Sequence, residues 1–366
     1  AFMDLSVMHD NAEAIKLYEK MGFERVPVYT VKKKNPINES LFIGPQRAEN
    51  LNIYAKIIVD EARRRGIHVD IEDAAAGLFT LTLGGRSIAC RESLSELTSA
   101  VAMSRCDDKA LTHRLLAKAN LKMPGQVSLR SRDDVRAFLE KYGRIVIKPA
   151  RGEQGQGVFV DLCSEDEAIT AFDEVRDQVD HVIGEEFVNG RDLRIIVIGD
   201  EVAAAAVRRP PRITGDGQHS IQELIQRLSR RRAAATGGES RIPIDDETRR
   251  CLQAQGHGMN SILGDGVVLE VRKTANLHCG GTIHDVTGEL HPALRDAALT
   301  ARQVLGIPVV GFDFMFPRVD GPDYRIIEAN ERPGLANHEP QPTAQKFVDF
   351  LFPETRQELV KNPASG

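Results

Sequence analysis

The chain contains no tryptophan, and aromatic residues make up only 5% of its 366 residues. Proteins that hold single-stranded nucleic acid without sequence preference stack the bases on aromatic side chains, and this composition offers few such platforms. Positive charge is not in excess either, since the formal net charge is −5. A general nucleic-acid binder needs a basic surface, so we expect no nucleic-acid partner.

Long apolar runs are also missing. No stretch approaches the roughly 18 apolar residues of a membrane-spanning helix, and we predict no membrane association. The five cysteines are widely scattered and form no Cys-X-X-Cys pair, which is typical of reduced thiols in the cytoplasm. Residues Ala1 to Asp4 include no initiator methionine at the first position and do not resemble a signal peptide. We therefore expect a fragment of a longer cytoplasmic protein.

The length and patterning predict several α/β units. Residues 10–23 have the apolar spacing of a helix, 26–31 that of a strand, and a polar stretch ending at Pro36 follows. Helix and strand signals then alternate in two blocks, and residues 208–266 are expected to be irregular because they are rich in Gly, Arg and Pro. We predict three domains or domain fragments, at residues 1–35, 41–105 and 107–353, followed by a tail at 354–366.

A glycine-rich loop follows an apolar strand that ends at Lys148. Gly152, Gly155 and Gly157 would let backbone N–H groups approach an anion closely, and the lysine adds a positive charge for a phosphate. The loop is not a Walker A motif and does not lead into a helix, as a dinucleotide-binding loop does. Two interpretations remain open at this point: a phosphate-binding loop, and a flexible hairpin beside a surface lysine.

Three oxygen-bearing side chains lie on two predicted strands near the end of the chain. Asp313 interrupts an apolar run, and Glu328 and Asn330 are two residues apart, so they share one face of a strand. A carboxylate within an apolar strand is costly unless it is paired or bound to a metal. Two carboxylates and an amide oxygen suit Mg²⁺, and Mn²⁺ would serve as well. Pairing with arginines or exposure at strand ends is the alternative.

Two weaker patterns complete the candidate site. The strand end at 182–192 could offer Glu185, Glu186 and Val188 to a purine edge and Asp192 to ribose hydroxyls, although acidic strand ends are common. Several cations flank Gly-rich loops and could stabilise charge that develops in phosphoryl transfer. The main candidates are Arg194 and Arg272, for which a solvated basic surface is the alternative.

The order of these motifs over residues 107–353, together with Lys109 before a predicted helix, resembles the ATP-grasp superfamily. The resemblance implies an ATP-grasp fold, ATP and Mg²⁺, and a ligase that joins a carboxylate to an amine through an acyl-phosphate. It also implies the roles of the side chains. Lys109 and Lys148 would contact the phosphates, and the 152–157 loop would cover them. Adenine would be bound by Glu185, Glu186 and Val188, and ribose by Asp192. Mg²⁺ would be held by Asp313, Glu328 and Asn330. Arg194 and Arg272 would stabilise the transition state, and the loop with Asn276, Gly280 and Gly281 would seat the acyl-phosphate.

Within this superfamily the segments 208–221, 274–282 and 328–335 resemble the ATP-grasp domain of cyanophycin synthetases. The Mur-ligase-like half and the large N-terminal domain of those enzymes have no counterpart in this sequence. Polymer synthesis is therefore not implied, whereas small amino-acid or acyl-amino-acid substrates are.

Residues 10–23 resemble the last helix of GNAT acetyltransferases, with Tyr18 at the place of the tyrosine that often protonates the CoA thiolate. The acetyl-CoA loop is not in this sequence, so we expect no acetyltransferase activity. A GNAT segment ahead of an ATP-grasp domain is similar to N-acetylglutaminylglutamine synthetases, and we predict synthesis of that dipeptide. A homo-oligomer is compatible with this function. The alternatives are another amino-acid or peptide ligase, such as one resembling glutathione synthetase, and a non-catalytic nucleotide-binding module.

Overall fold

The computed structural model describes residues 12–23, 50–152, 157–235, 240–273, 275, 277–338 and 340–356. Two predicted site residues, Gly155 and Asn276, and the predicted strand at 26–31 lie outside these ranges. The chain divides into two compact units, one formed by 1–99 with 332–366 and the other by 100–331. None of the described helices is long and apolar enough to cross a membrane.

The first unit begins with two helices and a four-stranded antiparallel meander in the order β1-β2-β3-β4. Asn52 caps the second helix by accepting a hydrogen bond from the Ala55 N–H at 2.9 Å. The elements are α1 (Ala12–Lys20), α2 (Ile53–Arg64), β1 (His68–Asp73), β2 (Leu78–Leu83), β3 (Arg86–Arg91) and β4 (Leu94–Ser95).

The second unit opens with two helices and a four-stranded antiparallel sheet. Its elements are α3 (Ala100–Asp107), α4 (Lys109–Lys118), β5 (Gln126–Leu129), α5 (Arg132–Tyr142), β6 (Ile145–Pro149), β7 (Phe159–Leu162), α6 (Glu165–Arg176) and β8 (Val182–Glu186). The strand order is β5-β8-β6-β7, and α5 and α6 cover one face around Ile145, Ile147 and Phe172. Because side chains alternate along a strand, Lys148 belongs to the opposite face.

A second sheet, of five strands, follows in the same unit in the order β13-β10-β9-β14-β15. The remaining elements of this unit are β9 (Arg191–Ile198), β10 (Glu201–Arg209), β11 (Arg212–Thr214), α7 (Ile221–Ala235), α8 (Asp246–Gln253), β12 (Val268–Glu270), β13 (Thr282–Asp285), α9 (Pro292–Leu305), β14 (Val309–Phe316) and β15 (Arg325–Asn330). Leu193, Ile195, Phe312 and Phe314 form its core with α9. After β15, the chain returns to the first unit, where α10 (Thr343–Leu351) packs on α2.

The prediction that residues 208–266 are irregular is wrong. The segment contains β11, α7 and α8. Its strand β11 pairs with β12, just after the segment, and this small ladder closes a separate apolar cluster that includes Ile221, Ile225 and Leu252. Ile221 and Ile225 have helical spacing. The Gly- and Arg-rich flanks obscured this short period, and the helices are stabilised by burial of that stripe against the ladder.

Candidate active site

One face of the five-stranded sheet is apolar and packs on α9, whereas the other carries charged side chains. The strand register places five residues directly opposite one another in a single row across all five strands. In strand order, this row is Asp285, Ala206, Arg194, Asp313 and Glu328. Directly opposed residues of antiparallel strands point to the same face, so the four charged side chains of this polar row share one face, and the buried Ala206 separates Asp285 from the other three.

Arg208 and Asp192 occupy the adjacent row, where they are opposite each other on β10 and β9. Arg208 donates to both carboxylate oxygens of Asp192, at 2.8 and 2.9 Å. Its Nη2 also lies 2.7 Å from Asp313 Oδ2. Arg208 therefore bridges Asp192, the predicted ribose-binding residue, and Asp313, a predicted metal ligand, and it holds both carboxylates in place.

The four-stranded sheet contributes a second charged pair. Lys148 Nζ lies 2.5 Å from Glu185 Oε2, and these two side chains are only 5% and 3% exposed. Gln126 Nε2 donates to the other carboxylate oxygen of Glu185 at 2.8 Å. The pairing follows from the register, which sets Lys148 opposite Ile183 and Glu185 opposite Val146 on neighbouring strands.

Lys109 connects the glycine-rich loop with the five-stranded sheet. It is the first residue of α4, which Asp108 caps through the Leu111 N–H. Lys109 Nζ donates to the Gly152 carbonyl at 2.7 Å and lies 3.8 Å from Glu328 Oε2. The start of the loop, a lysine and a predicted metal ligand are thus brought to one place.

The charges of this cluster balance. It holds four cations and four carboxylates, namely Lys109, Lys148, Arg194, Arg208, Asp192, Glu185, Asp313 and Glu328. Buried charges are tolerated when they are paired in this way. A ligand that brings phosphate charge together with divalent cations can enter such a cluster without leaving it with a large net charge.

The pKa values of two carboxylates in the cluster are shifted in opposite directions by their surroundings. Burial raises the pKa of Asp313 to about 6, against the opposing effect of Arg194 and Arg208. Burial would also raise the pKa of Glu328, but Lys109, Lys148 and the two arginines together lower it to about 2. Glu328 is therefore anionic at neutral pH.

Asp313 has an oxygen that is suited to a further ligand. Although Arg194 Nε is 2.7 Å away, the buried Oδ1 receives no hydrogen bond of acceptable geometry from the described residues. Buried polar atoms normally have a partner, so this oxygen fits the coordination of a cation.

The donor set of the row fits Mg²⁺ through few protein ligands. Asn330 lies beside Glu328, with its amide nitrogen 3.3 Å from Glu328 Oε1. Among the residues that the structure describes, no three His, Cys, Asp or Glu side chains are grouped to hold a metal by themselves. Mg²⁺ commonly takes one or two carboxylates and completes its shell with phosphate oxygens and water, which agrees with this arrangement.

Three other predicted residues are not members of this charged cluster. Glu186 accepts from the Gly125 N–H at 3.0 Å, and its own N–H donates to the Gly125 carbonyl at 2.8 Å. Val188 lies beyond the end of β8. Arg272 donates to Asp245 at 2.5 Å and to Thr248 at 2.8 Å at the start of α8. These contacts of Arg272 belong to the small cluster of α7 and α8, whereas those of Arg194 belong to the polar row.

Sequence reasoning did not single out Arg208 as a bridge or Glu185 as the partner of Lys148. The signal for Arg208 is present in the sequence, because two apolar runs flank Gly199-Asp200 and a hairpin at that turn brings residues 192 and 208 near each other on neighbouring strands. The pairing of Glu185 with Lys148 joins strands that are separated by α6, and no local pattern predicts it.

The loop that ends at Gly281 is fixed by close backbone contacts. Gly281 accepts a hydrogen bond from Arg232 Nη1 at 2.8 Å. Gly280 has φ +85°, and a Cβ atom at this position would lie 2.4 Å from Ile242 Cγ1. The loop leads directly into β13, where Thr282 pairs with Arg209, three positions along the strands from the Asp285–Ala206 pair of the polar row. Glycine is therefore required at 280 by both conformation and space.

We expect Gly280→Ala to destabilise the second unit by more than the cost of placing a side chain at a positive φ. The positive φ costs about 1–2 kcal/mol for a residue with a side chain, and overpacking against Ile242 adds about 1–3 kcal/mol. Gly256→Ala is the matched control, since Gly256 has φ +77° but nothing within 4 Å of a Cβ atom. Urea unfolding of both variants measures the difference, and equal losses would contradict the packing argument.

Comparison with known proteins agrees with this geometry. Residues 106–217 match the RimK-like ATP-grasp domain family. Cyanophycin synthetase from Trichormus variabilis is 30% identical over 322 residues, which cover 84% of this chain and 36% of that protein. The glutathione biosynthesis bifunctional protein GshAB from Listeria welshimeri is 28% identical over 321 residues, 83% of this chain and 41% of that protein. The chain thus spans well under half the length of these curated relatives.

Among solved structures, the bifunctional glutathione synthetase from Pasteurella multocida superposes with a TM-score of 0.59 at 22% identity. The match covers 84% of this chain and 44% of that one. At this identity the likeness concerns the fold, and it agrees with the family match and with the two-sheet architecture of the second unit. The chain therefore has the ATP-grasp fold, and its residues 106–217 match a RimK-like ATP-grasp domain.

Proposed function

We propose that the chain is an ADP-forming carboxylate–amine ligase that activates its carboxylate substrate as an acyl-phosphate. The observation that carries the proposal is the gathering of Lys109, Lys148, Asp313 and Glu328 in one cluster, although they are far apart in sequence. The family match and the ligase and synthetase relatives support the same class of reaction.

In this proposal the triphosphate of ATP lies between the two sheets of the second unit. Lys148 and Lys109 bind its phosphates, and the loop that begins at Gly152 covers them. When ATP binds, Lys148 either leaves Glu185 or contacts both that carboxylate and a phosphate. In both cases its positive charge lies close to the triphosphate. Adenine and ribose lie along the end of β8 and the start of β9, near Val188 and Asp192.

Asp313, Glu328 and Asn330 would hold Mg²⁺, or Mn²⁺, which supplies charge neutralisation to the phosphates. The low pKa of Glu328 keeps that carboxylate ionised for this role.

Arg194 and Arg208 stay beside the reacting groups through their pairs with Asp313. A substrate carboxylate oxygen attacks the γ-phosphorus, and the bond from phosphorus to the ADP oxygen breaks. An amine then attacks the acyl carbon, and phosphate leaves with the electron pair of the C–O bond. Holding the carboxylate next to the γ-phosphate removes much of the entropic barrier, and the arginines stabilise the charge that develops. Arg272, which is paired with Asp245, remains the second proposed arginine for stabilising this charge.

As substrates we propose N-acetylglutamine for the carboxylate and glutamine for the amine. The support is the GNAT-like segment ahead of the ATP-grasp domain, in which α1 carries Tyr18 with its ring 5.8 Å from that of Phe23. A cytoplasmic location is part of this proposal, since all five cysteines are free thiols, which is typical of a reducing compartment.

A screen for ADP release tests the function. With ATP and Mg²⁺, we expect one pair of a carboxylate and an amine to raise ADP release at least about tenfold over ATP alone, because chemistry requires both substrates. N-acetylglutamine with glutamine is the first pair. Amino acids and short peptides taken by glutathione-type and cyanophycin-type ligases make up the rest of the panel.

The outcome also separates the alternatives. Activity with another pair would keep the ligase reaction and replace the proposed substrates. ATP binding without ADP release for any pair would identify a nucleotide-binding module and overturn the ligase proposal.

A further inference from the structure

We propose that Arg250 of α8 is a positioning residue that connects the nucleotide side of the site with residues 277–281, here called the acyl loop. Arg250 Nη2 donates to the Val160 carbonyl on β7 at 3.0 Å, and the two residues are 90 positions apart in sequence. The inference rests on the proposed function, in which the glycines before β7 bind phosphate and the acyl loop seats the acyl-phosphate. It adds a link between these two binding events.

The contact is made at a bulge in β7. The register of β7 against β6 slips by one residue, so that Val160 and Asp161 together stand opposite Val146. Asp161 has φ +66°, a left-handed conformation that is unfavourable for most residues with a side chain. Bulges interrupt the hydrogen-bond ladder and redirect side chains. Because β7 is also the edge strand of its sheet, Arg250 supplies a donor at a place where the sheet itself has few to offer.

Two further cations lie on the carboxylate of Asp161. Arg144 Nε donates to Asp161 Oδ1 at 2.7 Å, and Lys273 Nζ lies 4.0 Å from Asp161 Oδ2. The Lys273 side chain is half-exposed, and a long ion pair of this kind contributes little. We therefore assign the connection between β7 and α8 mainly to the direct hydrogen bond of Arg250, and the local shape of the bulge to Arg144.

The helix α8 is joined in turn to the segment that leads into the acyl loop. At the start of the helix, Arg272 donates to Asp245 at 2.5 Å and to Thr248 at 2.8 Å. Just past its end, the side chain of Gln255 donates to the Glu270 carbonyl at 2.8 Å. The chain is thus held to both ends of α8 shortly before the acyl loop begins.

Glu247 orients Arg250 for this contact. Its carboxylate accepts from Arg250 Nε at 2.8 Å and from Nη2 at 3.2 Å, one turn earlier on the same helix. The planar fork of an arginine can keep such a pair and still donate to a further acceptor. Arg249 makes a similar pair with Asp246 at 2.7 Å, but on the exposed face of α8. Two neighbouring arginines of one helix therefore differ in their relation to β7.

These contacts form a continuous path from β7 through α8 to the acyl loop, and the whole path lies within the second unit. A phosphate bound at Gly157, two residues before β7, would restrict the motion of that strand. Arg250 passes the restriction to α8 and hence to the acyl loop. When one ligand orders a segment that a second ligand needs, the second binds more tightly. We therefore expect nucleotide binding to order the acyl loop.

Hydrogen exchange of the acyl loop tests this inference without requiring turnover. With Mg²⁺ and a saturating non-hydrolysable ATP analogue, we expect exchange in the peptide that contains residues 277–281 to slow by at least about fivefold, the low end of coupling between two sites. In Arg250→Met the analogue should bind within about threefold of the same Kd, whereas the protection should fall below about twofold. Arg250→Lys keeps a cationic donor and should retain part of the protection.

Arg249→Met is the matched control, because it removes the same charge from the adjacent residue of α8 and should keep the full protection. Urea unfolding of the ligand-free variants measures any loss of stability. Steady-state kinetics gives a second readout with the carboxylate that the ADP-release screen selects. Arg250→Met should raise the KM for that carboxylate by at least about tenfold, as expected for a coupling of this size, and should change kcat and the KM for ATP by less than about threefold.

The possible results are distinguishable. Full protection in Arg250→Met, or no protection in the unsubstituted chain with the analogue bound, would overturn the role of Arg250 and leave the ligase reaction standing. Equal losses in Arg249→Met and Arg250→Met would show a general effect on α8 and would also overturn it. If no pair of substrates gives ADP release, the ligase function fails, but the exchange experiment still decides whether Arg250 links the nucleotide to the acyl loop. Failure of the analogue to bind would refute both.

Discussion

Replacing Glu328 with glutamine is expected to lower substrate-dependent ADP release by about 1,000-fold. A single group that stabilises transition-state charge is worth about 10²–10³ in rate, and Glu328 is proposed both to hold the divalent cation and to balance the charge of the cluster. Glu328 is an anion held ionised by four surrounding cations, and it lies 3.8 Å from Lys109. The amide removes that charge, so the cluster becomes net positive and weakens its hold on a divalent cation. Glutamine preserves the shape of the side chain, which limits the damage to the fold.

The measurement is a coupled assay of ADP release at saturating ATP and substrates, with Mg²⁺ varied. Glu174→Gln on the exposed face of α6 is the matched control, since it removes the same charge far from the polar row. If the Glu328 variant turns over within about fivefold of the unsubstituted chain at every Mg²⁺ concentration, Glu328 is not part of the site.

The second large effect is expected from Lys148. In Lys148→Met the carboxylate of Glu185 stays buried without its ion partner, which costs about 3–5 kcal/mol of stability. Part of this loss is offset by the hydrogen bond that Gln126 donates to Glu185. The same variant loses a charged contact to phosphate, worth about 1.5–3 kcal/mol, or about 10- to 150-fold in the Kd of ATP.

A second substitution separates these two losses. Lys148→Met combined with Glu185→Gln removes both charges, so it should recover most of the stability while ATP binding stays weak. Urea unfolding gives the free energies, and calorimetric titration with ATP gives the affinities. If ATP binds the double variant as tightly as the unsubstituted chain, Lys148 has a structural role only and the proposed phosphate contact is wrong.

Much of the second unit could be predicted from local pattern. The strands that carry Lys148, Arg194, Asp313 and Glu328 are recognisable in the sequence as short apolar runs that contain or adjoin a few charged residues. The antiparallel hairpin of β9 and β10 was recognisable from two such runs around Gly199-Asp200. These signals are short-range, and they depend on burial of one face of each strand.

Other features depend on contacts between distant parts of the chain. The helix α7 was hidden by its flanking Gly and Arg residues, because its stability comes from packing on the β11–β12 ladder. Arg272 looked equivalent to Arg194 in sequence, yet its contacts lie with Asp245 and Thr248. No spacing rule distinguishes two arginines that face different partners.

The sequence by itself determined the chemistry that this protein has to offer, namely lysines and a glycine-rich loop for phosphate, and two carboxylates with an amide for a divalent cation. It did so because residue type and strand periodicity are local properties. Only the tertiary structure decided which strands are neighbours, and hence that Asp285, Ala206, Arg194, Asp313 and Glu328 stand in one row. Strand order and register arise from burial of the opposite, apolar face on α9, which is a long-range packing choice that no segment makes alone.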